Sequence, residues 1–497
     1  MRKGLAWLLA ALVMLSSCAA LADGAYTMAG YDGDSTNRVW DTNLFFQRME
    51  ERTGVHFTFR QYTDYNAWTA EKPALLGGED KPDVLFKAEL TPVETQRYYA
   101  EGLLIDLSPY LTENAPNLWV LLEAHPDWKR AITLPDGAIV ALPTINELQN
   151  NNAMWINRSW LDALGLAAPT TAEELTEVLR AFQTGDPNRN GKADEVPLTF
   201  TSIWDLKFLA HAFGQIANDY NVVMAEDGTV SSVLKTEENR AFLTWLHTLW
   251  EERLLDRNGF STSDAMRRVT DDNADVTYGV MLGVSPLTLL PAKALDQYEL
   301  LMPLTCDGKQ VYRDLTGDVV RGAFAITSAC EDPAELLRWV DYLYTPEGCF
   351  LAQAGAEGVE YARNDDGTWA WIDDTQTVAS TVLADATIAE GGSTPMLSTV
   401  EFQETYDDEQ THRAVTQLSA LKAVSRVPYP LVYLAPEKEE RLNALQADIG
   451  LYADQQMTWF VTGDAPLTDE SWADFCRTLD DKGLEELVGI LTEAAAD

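Results

Sequence analysis

From Ala25 onward, short apolar runs alternate with segments of helical period. That pattern argues for a sheet covered by helices rather than an all-helical or all-strand fold. Ala25 to Gly30 reads as a first strand. The polar loop Tyr31 to Thr42 leads into an amphipathic helix carrying Leu44, Phe45, Met49 and Arg52, which Gly54 stops. Val55 to Phe59 alternates as a second strand, and Pro82 to Phe86 reads as a short buried one. Loops leaving the carboxyl ends of such strands are where an open α/β sheet places its ligand.

Ile139 to Pro143 and Asn152 to Asn157 are two more strand-like runs, and the polar segment Thr144 to Asn151 between them suits a crossover between lobes. Thr171 with Glu174 reads as a capping box, after which Leu175, Val178, Leu179 and Phe182 recur at helical spacing until Gly185. Leu198 to Ser202, Val276 to Gly283, Glu299 to Pro303 and Gly322 to Thr327 read as strands, and Pro333 to Leu343 as a helix. From Pro436 the chain is mostly helical, with Leu442, Leu445, Ile449, Tyr452 and Phe460 along one face. Trp245 and Trp250 share an apolar stripe with Leu246 and Leu249 and read as core.

Arg2 and Lys3 precede an apolar run from Leu5 to Leu15, the pattern of a secretory signal, and Leu15 to Cys18 fits a bacterial lipobox. Residues 1–17 would then be removed and Cys18 lipidated, with 18–24 as a tether; cleavage after Ala22 would instead give a soluble form. Either way the chain works outside the cytoplasm. No later segment supplies the roughly 20 apolar residues of a membrane span, so any anchor is lipid alone. Loss of Arg2 and Lys3 takes the formal charge from −42 to −44. Such a surface repels nucleic acid and favours solubility and divalent cations. With 46% apolar residues the chain is well above the disordered regime, and its length implies two or more lobes. Cys306, Cys330, Cys349 and Cys476 have no C-x-x-C spacing; two disulfides and four free thiols stay equally open.

The loop from Asp186 to Glu195 carries oxygen-bearing side chains at its positions 1, 3, 5, 9 and 10 and a glycine at 6. Asp186, Asn188 and Asn190 can face inward, the carbonyl of Lys192 fills a further slot, and Asp194 and Glu195 close a calcium cage. Gly191 allows the sharp turn. Pro197 stands where an EF-hand has its bidentate glutamate, and the plain alternative is a solvated Asx-turn loop. Six protein ligands leave no open coordination position, so the ion would brace structure rather than touch a guest.

With these landmarks in order, the chain resembles the family 1 extracellular solute-binding proteins of bacterial ABC importers, over nearly its whole length. The residues that carry this are Pro82 to Phe86, Trp155 to Leu161, Asp341 to Gly348, Gly355 to Gly358 and Pro466 to Phe475. The Asp186 loop is similar to the calcium loop of the alginate-binding members. The resemblance implies a two-lobed α/β periplasmic-binding-protein-like fold with a hinge between discontinuous lobes, 25–146 with 303–362 and 147–302 with 363–497. It also implies a carbohydrate, an oligosaccharide by preference, held between lobes that close by hinge motion. A monomer is expected, with the ABC permease and ATPase as separate chains, since no Walker-type loop occurs.

Sugar sites combine aromatic plates with side chains that donate and accept hydrogen bonds. By position, the cleft candidates are Trp40, Asn43, Lys87, Asn151, Asn152, Trp155, Trp204 and Arg321, although core packing competes for each tryptophan. The anionic surface favours neutral sugars over uronates. His56, His125, His211, His247 and His412 are scattered, and no Gly-x-Ser-x-Gly elbow occurs, which disfavours a zinc hydrolase and a serine esterase. A surface sensor or adhesion lipoprotein on the same fold is the stronger rival, ahead of a glycoside-active enzyme using paired carboxylates.

Overall fold

The structure, a computed structural model, describes residues 25–34, 36–148, 152–271, 274–372, 384–389 and 393–496. The leader, Cys18 and Asn151 lie outside the described residues. A six-stranded sheet forms the first lobe in the order Leu397–Ser398, Leu142–Asn146, Val319–Ile326, Val84–Phe86, Tyr26–Tyr31, Phe57–Tyr62. Alternate residues serve two cores. Met28, Val84, Phe86, Phe324 and Ile326 enter one, while Ala29, Leu85 and Ala325 enter the other. Burial on both faces explains why these strands read as continuous apolar runs.

The second lobe holds a four-stranded sheet ordered Tyr298–Leu301, Ala153–Asn157, Tyr278–Gly283, Val196–Thr199. Its core gathers helices Ala172–Thr184, Glu237–Glu251, Pro436–Thr462, Asp469–Asp481 and Leu484–Ala496. Leu442, Leu445, Ile449 and Phe460 are buried there, and Tyr452, Trp245 and Trp250 pack at its edge.

Several bounds shift from the sequence expectation. The second strand starts at Phe57, because Gly54 caps the preceding helix at φ 76° and the chain pairs with the first strand only from Tyr26 opposite Phe57. The run at Ile139 becomes the strand Leu142–Asn146. Its Pro143 is tolerated because the neighbour Leu397–Ser398 pairs only with Ile145 and Asn146. Thr171 does cap its helix, accepting from the Glu174 N–H, but the Glu174 carboxylate accepts from Thr170 N and Oγ1 at 2.7 Å, one residue short of a capping box.

The lobe boundaries also move. Leu304 joins the second-lobe core, Thr305 N donates to Thr170 O, and Tyr312–Arg313 pairs in parallel with Ser425–Arg426. The second crossing therefore falls at Asp314 to Asp318 rather than at 303. Ile388, Met396 and Leu397 belong to a first-lobe core and Phe402 packs against it, so the return to the second lobe comes after Phe402 and not at 363. A two-residue strand such as Leu397–Ser398 has no periodicity to betray it. The cysteines at 306, 330, 349 and 476 are free thiols, and burial pushes the Cys330 thiol up to about 12.

Candidate ligand-binding cleft

Strand direction defines the cleft. Tyr26–Tyr31, Phe57–Tyr62, Val84–Phe86 and Leu142–Asn146 share one direction, which puts Asp32, Lys87 and Glu147 on one edge of the first sheet. In the second sheet Ala153–Asn157 runs against Tyr278–Gly283 and Val196–Thr199, so Asn152 lies at the same edge as Phe200 to Ser202 and Val284 to Ser285. The shortest of the three connections between the lobes runs from Glu147 to Asn152, so the chain leaves the first sheet and enters the second at these two edges.

On the first edge, Asp32 is fully buried and accepts from Lys87 Nζ at 2.5 Å, Arg38 Nε at 3.0 Å and Gln61 Nε2 at 3.2 Å. Lys87 Nζ also donates to Ile388 O at 3.0 Å. Burial lowers the Lys87 pKa to about 8, with Asp32 pulling the other way. Lys87 and Glu89 both have positive φ, 51° and 48°, a strained pair of the kind that clusters at ligand sites. Glu89 Oε1 accepts from Ser393 N and Oγ.

Trp40 does not act as a cleft plate: it is 1% exposed and packs against Phe46, Phe59 and Phe86 with ring centroids 5.6–5.9 Å away. Asn43 is also interior. Its Oδ1 accepts from Phe45 N as a helix cap, and its Nδ2 donates to Ala384 O and Thr387 O. Lys87 serves the buried ion pair. These three residues thus hold the edge from beneath: the loop after the first strand folds Trp40 and Asn43 onto the core, and Lys87, after the strand Val84–Phe86, turns into its ion pair with Asp32.

On the second edge, Asn152 Nδ2 donates to Asp205, whose other oxygen accepts from Thr201 N at 2.7 Å. Arg267 Nη1 donates to Thr199 Oγ1 at 2.8 Å and Asp256 at 2.9 Å, and its Nη2 to Thr201 Oγ1 at 3.2 Å. Trp204 sits on the short helix Ile203–Leu206 and is 38% exposed, with the Lys207 ammonium 4.7 Å from its ring centroid. It is the aromatic plate this edge offers. Trp155 is half-buried, its indole N–H donating to Gly283 O at 3.0 Å. Arg321 turns away from this edge, donating to Val432 O and lying over the Tyr433 ring.

Sequence reasoning missed Asp32, Glu89, Asp205 and Arg267. Asp32 directly follows the first strand and could have been found by that position; Asp205 and Arg267 carry no motif.

The Asp186 loop is tightly wound, with Asp186 at φ 44°, Arg189 at φ 58° and Gly191 at φ 73°. Asp186 accepts from Gly191 N, and the Asn190 amide nitrogen lies 3.1 Å from Asp194 and 3.2 Å from Asp275. Among the described residues, no three carboxylate, imidazole or thiol groups gather closely enough to hold a metal unaided. A cage here depends on the neutral oxygens of Asn188, Asn190 and Lys192. Glu195 Oε1 is buried without a partner, and burial together with Asp194 and Asp186 pushes its carboxyl pKa up. An orphaned carboxylate among like charges fits a cation site.

Residues 32–348 match the family described as bacterial extracellular solute-binding protein, and the chain belongs to that family. It is 27% identical over 469 residues to the fructooligosaccharide ABC transporter substrate-binding protein FusA of Streptococcus pneumoniae, across 90% of this chain and 85% of that one. The structure of FusA in complex with kestose superposes with a TM-score of 0.75 at 23% identity, covering 95% of this chain and 99% of that one, and a further FusA structure is of an EF-hand mutant. A human-milk-oligosaccharide-binding solute-binding protein of Bifidobacterium longum infantis superposes with a TM-score of 0.78 at 21% identity over 95% and 99%. These relatives are transporter binding proteins, not enzymes.

Proposed function

We propose that this chain captures an oligosaccharide outside the cell and delivers it to an ABC permease. The near full-length kinship with FusA carries this reading. The cleft edges support it, since an exposed Trp204 beside the Asn152–Asp205 and Arg267–Thr201 pairs suits sugar C–H faces and hydroxyls. The guest touches both edges only when the lobes close, so binding shifts the population toward the closed form that a permease reads. A lipid on Cys18 provides the anchor. Calcium held by Asp186, Asn188, Asn190, Lys192, Asp194 and Glu195 would neutralise the loop's carboxylates and brace the second lobe.

A thermal-shift panel of fructooligosaccharides, human milk oligosaccharides and oligogalacturonides tests this reading. Neutral oligosaccharides are expected to raise the melting temperature without being consumed, and uronates to do so weakly or not at all against a formal charge of −42. No shift with any glycan, or release of sugar products, overturns it.

A further inference from the structure

Beside Trp155 a groove of about 260 Å³ opens on the face of the second sheet that points away from its main core. Met154 and Ile156 face that core, so Trp155 faces the other way, on the same side as Tyr298 of the neighbouring strand. The polar ends of both rings are already committed. The Trp155 indole N–H donates to Gly283 O and the Tyr298 hydroxyl to Tyr278 O, so what they add to the groove is carbon surface.

The facing wall belongs to a different element, the helix Glu409–Lys422, which contributes Thr411, Arg413 and Gln417. Gln417 Oε1 accepts from Leu300 N at 3.2 Å, and one Arg413 Nη donates to Asp296 at 3.0 Å. A guanidinium has five donors and a carboxamide two, so this wall can meet several hydroxyls. Ser285 lines the groove and follows the strand Tyr278–Gly283 at the cleft edge, which brings the groove's end to that edge.

The helix also reaches the hinge. At its end the Lys422 ammonium lies 2.7 Å from Asp314 and 2.8 Å from Asp318 on the second crossing. A guest in the groove therefore bridges the second-lobe sheet and a helix fastened to the hinge.

We propose that this groove is an outer sugar subsite that reads oligosaccharide length, with Arg413 and Gln417 as its hydrogen-bonding wall. It rests on the oligosaccharide reading above. Titration calorimetry on the detergent-solubilised full chain tests it, using the shortest and longest binding members of the glycan series the panel selects, kestose and nystose in the case of fructans. Arg413→Ala and Gln417→Ala are each expected to weaken the longer glycan about tenfold and to leave the shorter within about twofold. Asp296→Asn, which breaks the Arg413 ion pair outside the groove, should change neither. Equal weakening of both glycans, no weakening of the longer, or an Asp296→Asn effect matching Arg413→Ala overturns the subsite. A parent chain that binds no oligosaccharide overturns the functional reading instead, and the subsite with it.

Discussion

Single residues show how a candidate position divides into contact and support. Lys87 and Trp204 each follow a strand, yet Lys87 is fully buried on Asp32 while Trp204 meets solvent. Removing one partner of a buried pair leaves the other charge uncompensated, so Lys87→Met should cost about 3–5 kcal/mol in urea unfolding. The pH dependence has a definite sign. With the folded Lys87 pKa at about 8 against 10.5, the unfolded chain holds that proton more tightly between those values. The charging cost is complete below the lower value and relieved as pH rises toward the upper. The parent should therefore gain stability across that window, relative to neighbouring pH, by an increment the methionine variant lacks. Trp204→Ala behaves differently. Stability without sugar should stay within about 0.5 kcal/mol, while sugar affinity falls about tenfold and the ligand-induced fluorescence change shrinks.

Among the elements, the Asp186 loop and the hinge are where sequence and tertiary structure share the determination. The phasing of Asp186, Asn188 and Asn190 is local, and so was legible; Asp275, 3.2 Å from the Asn190 amide, comes from a distant segment and was not. If calcium binds the native loop alone, chelation should lower stability, by about 2.7 kcal/mol from a free calcium concentration 100-fold above Kd. Thermal unfolding of Asp186→Ala should be the same in calcium and in chelator, and a calcium-dependent shift in that variant would remove the role. At the hinge, a cavity of about 710 Å³ is lined by Glu147 and Asp318, from the first two crossings, and by Lys422 at the end of the helix Glu409–Lys422. The apolar periodicity of the helix Glu409–Lys422 says nothing of this, because the Lys422 clamp depends on how separate crossings meet.

At the scale of the whole molecule, a formal charge of −42 suits a protein of an extracellular solute-binding family. No described helix is long and apolar enough to cross a membrane. Cys18→Ala should move the protein from the membrane fraction into the medium, detected by blotting each fraction. A variant that stays with the membrane would argue against the lipid anchor.

The α/β alternation, the oxygen-rich loop and the apolar face from Pro436 were written in the sequence, because each follows from local period or spacing, while the two lobes came from the chain's length and its family resemblance. The tertiary structure alone decided which candidates are buried and which meet solvent. Trp40 and Asn43 turn inward, Trp204 turns outward, and the return between lobes waits until after Phe402, since burial and strand pairing depend on contacts between residues far apart along the chain.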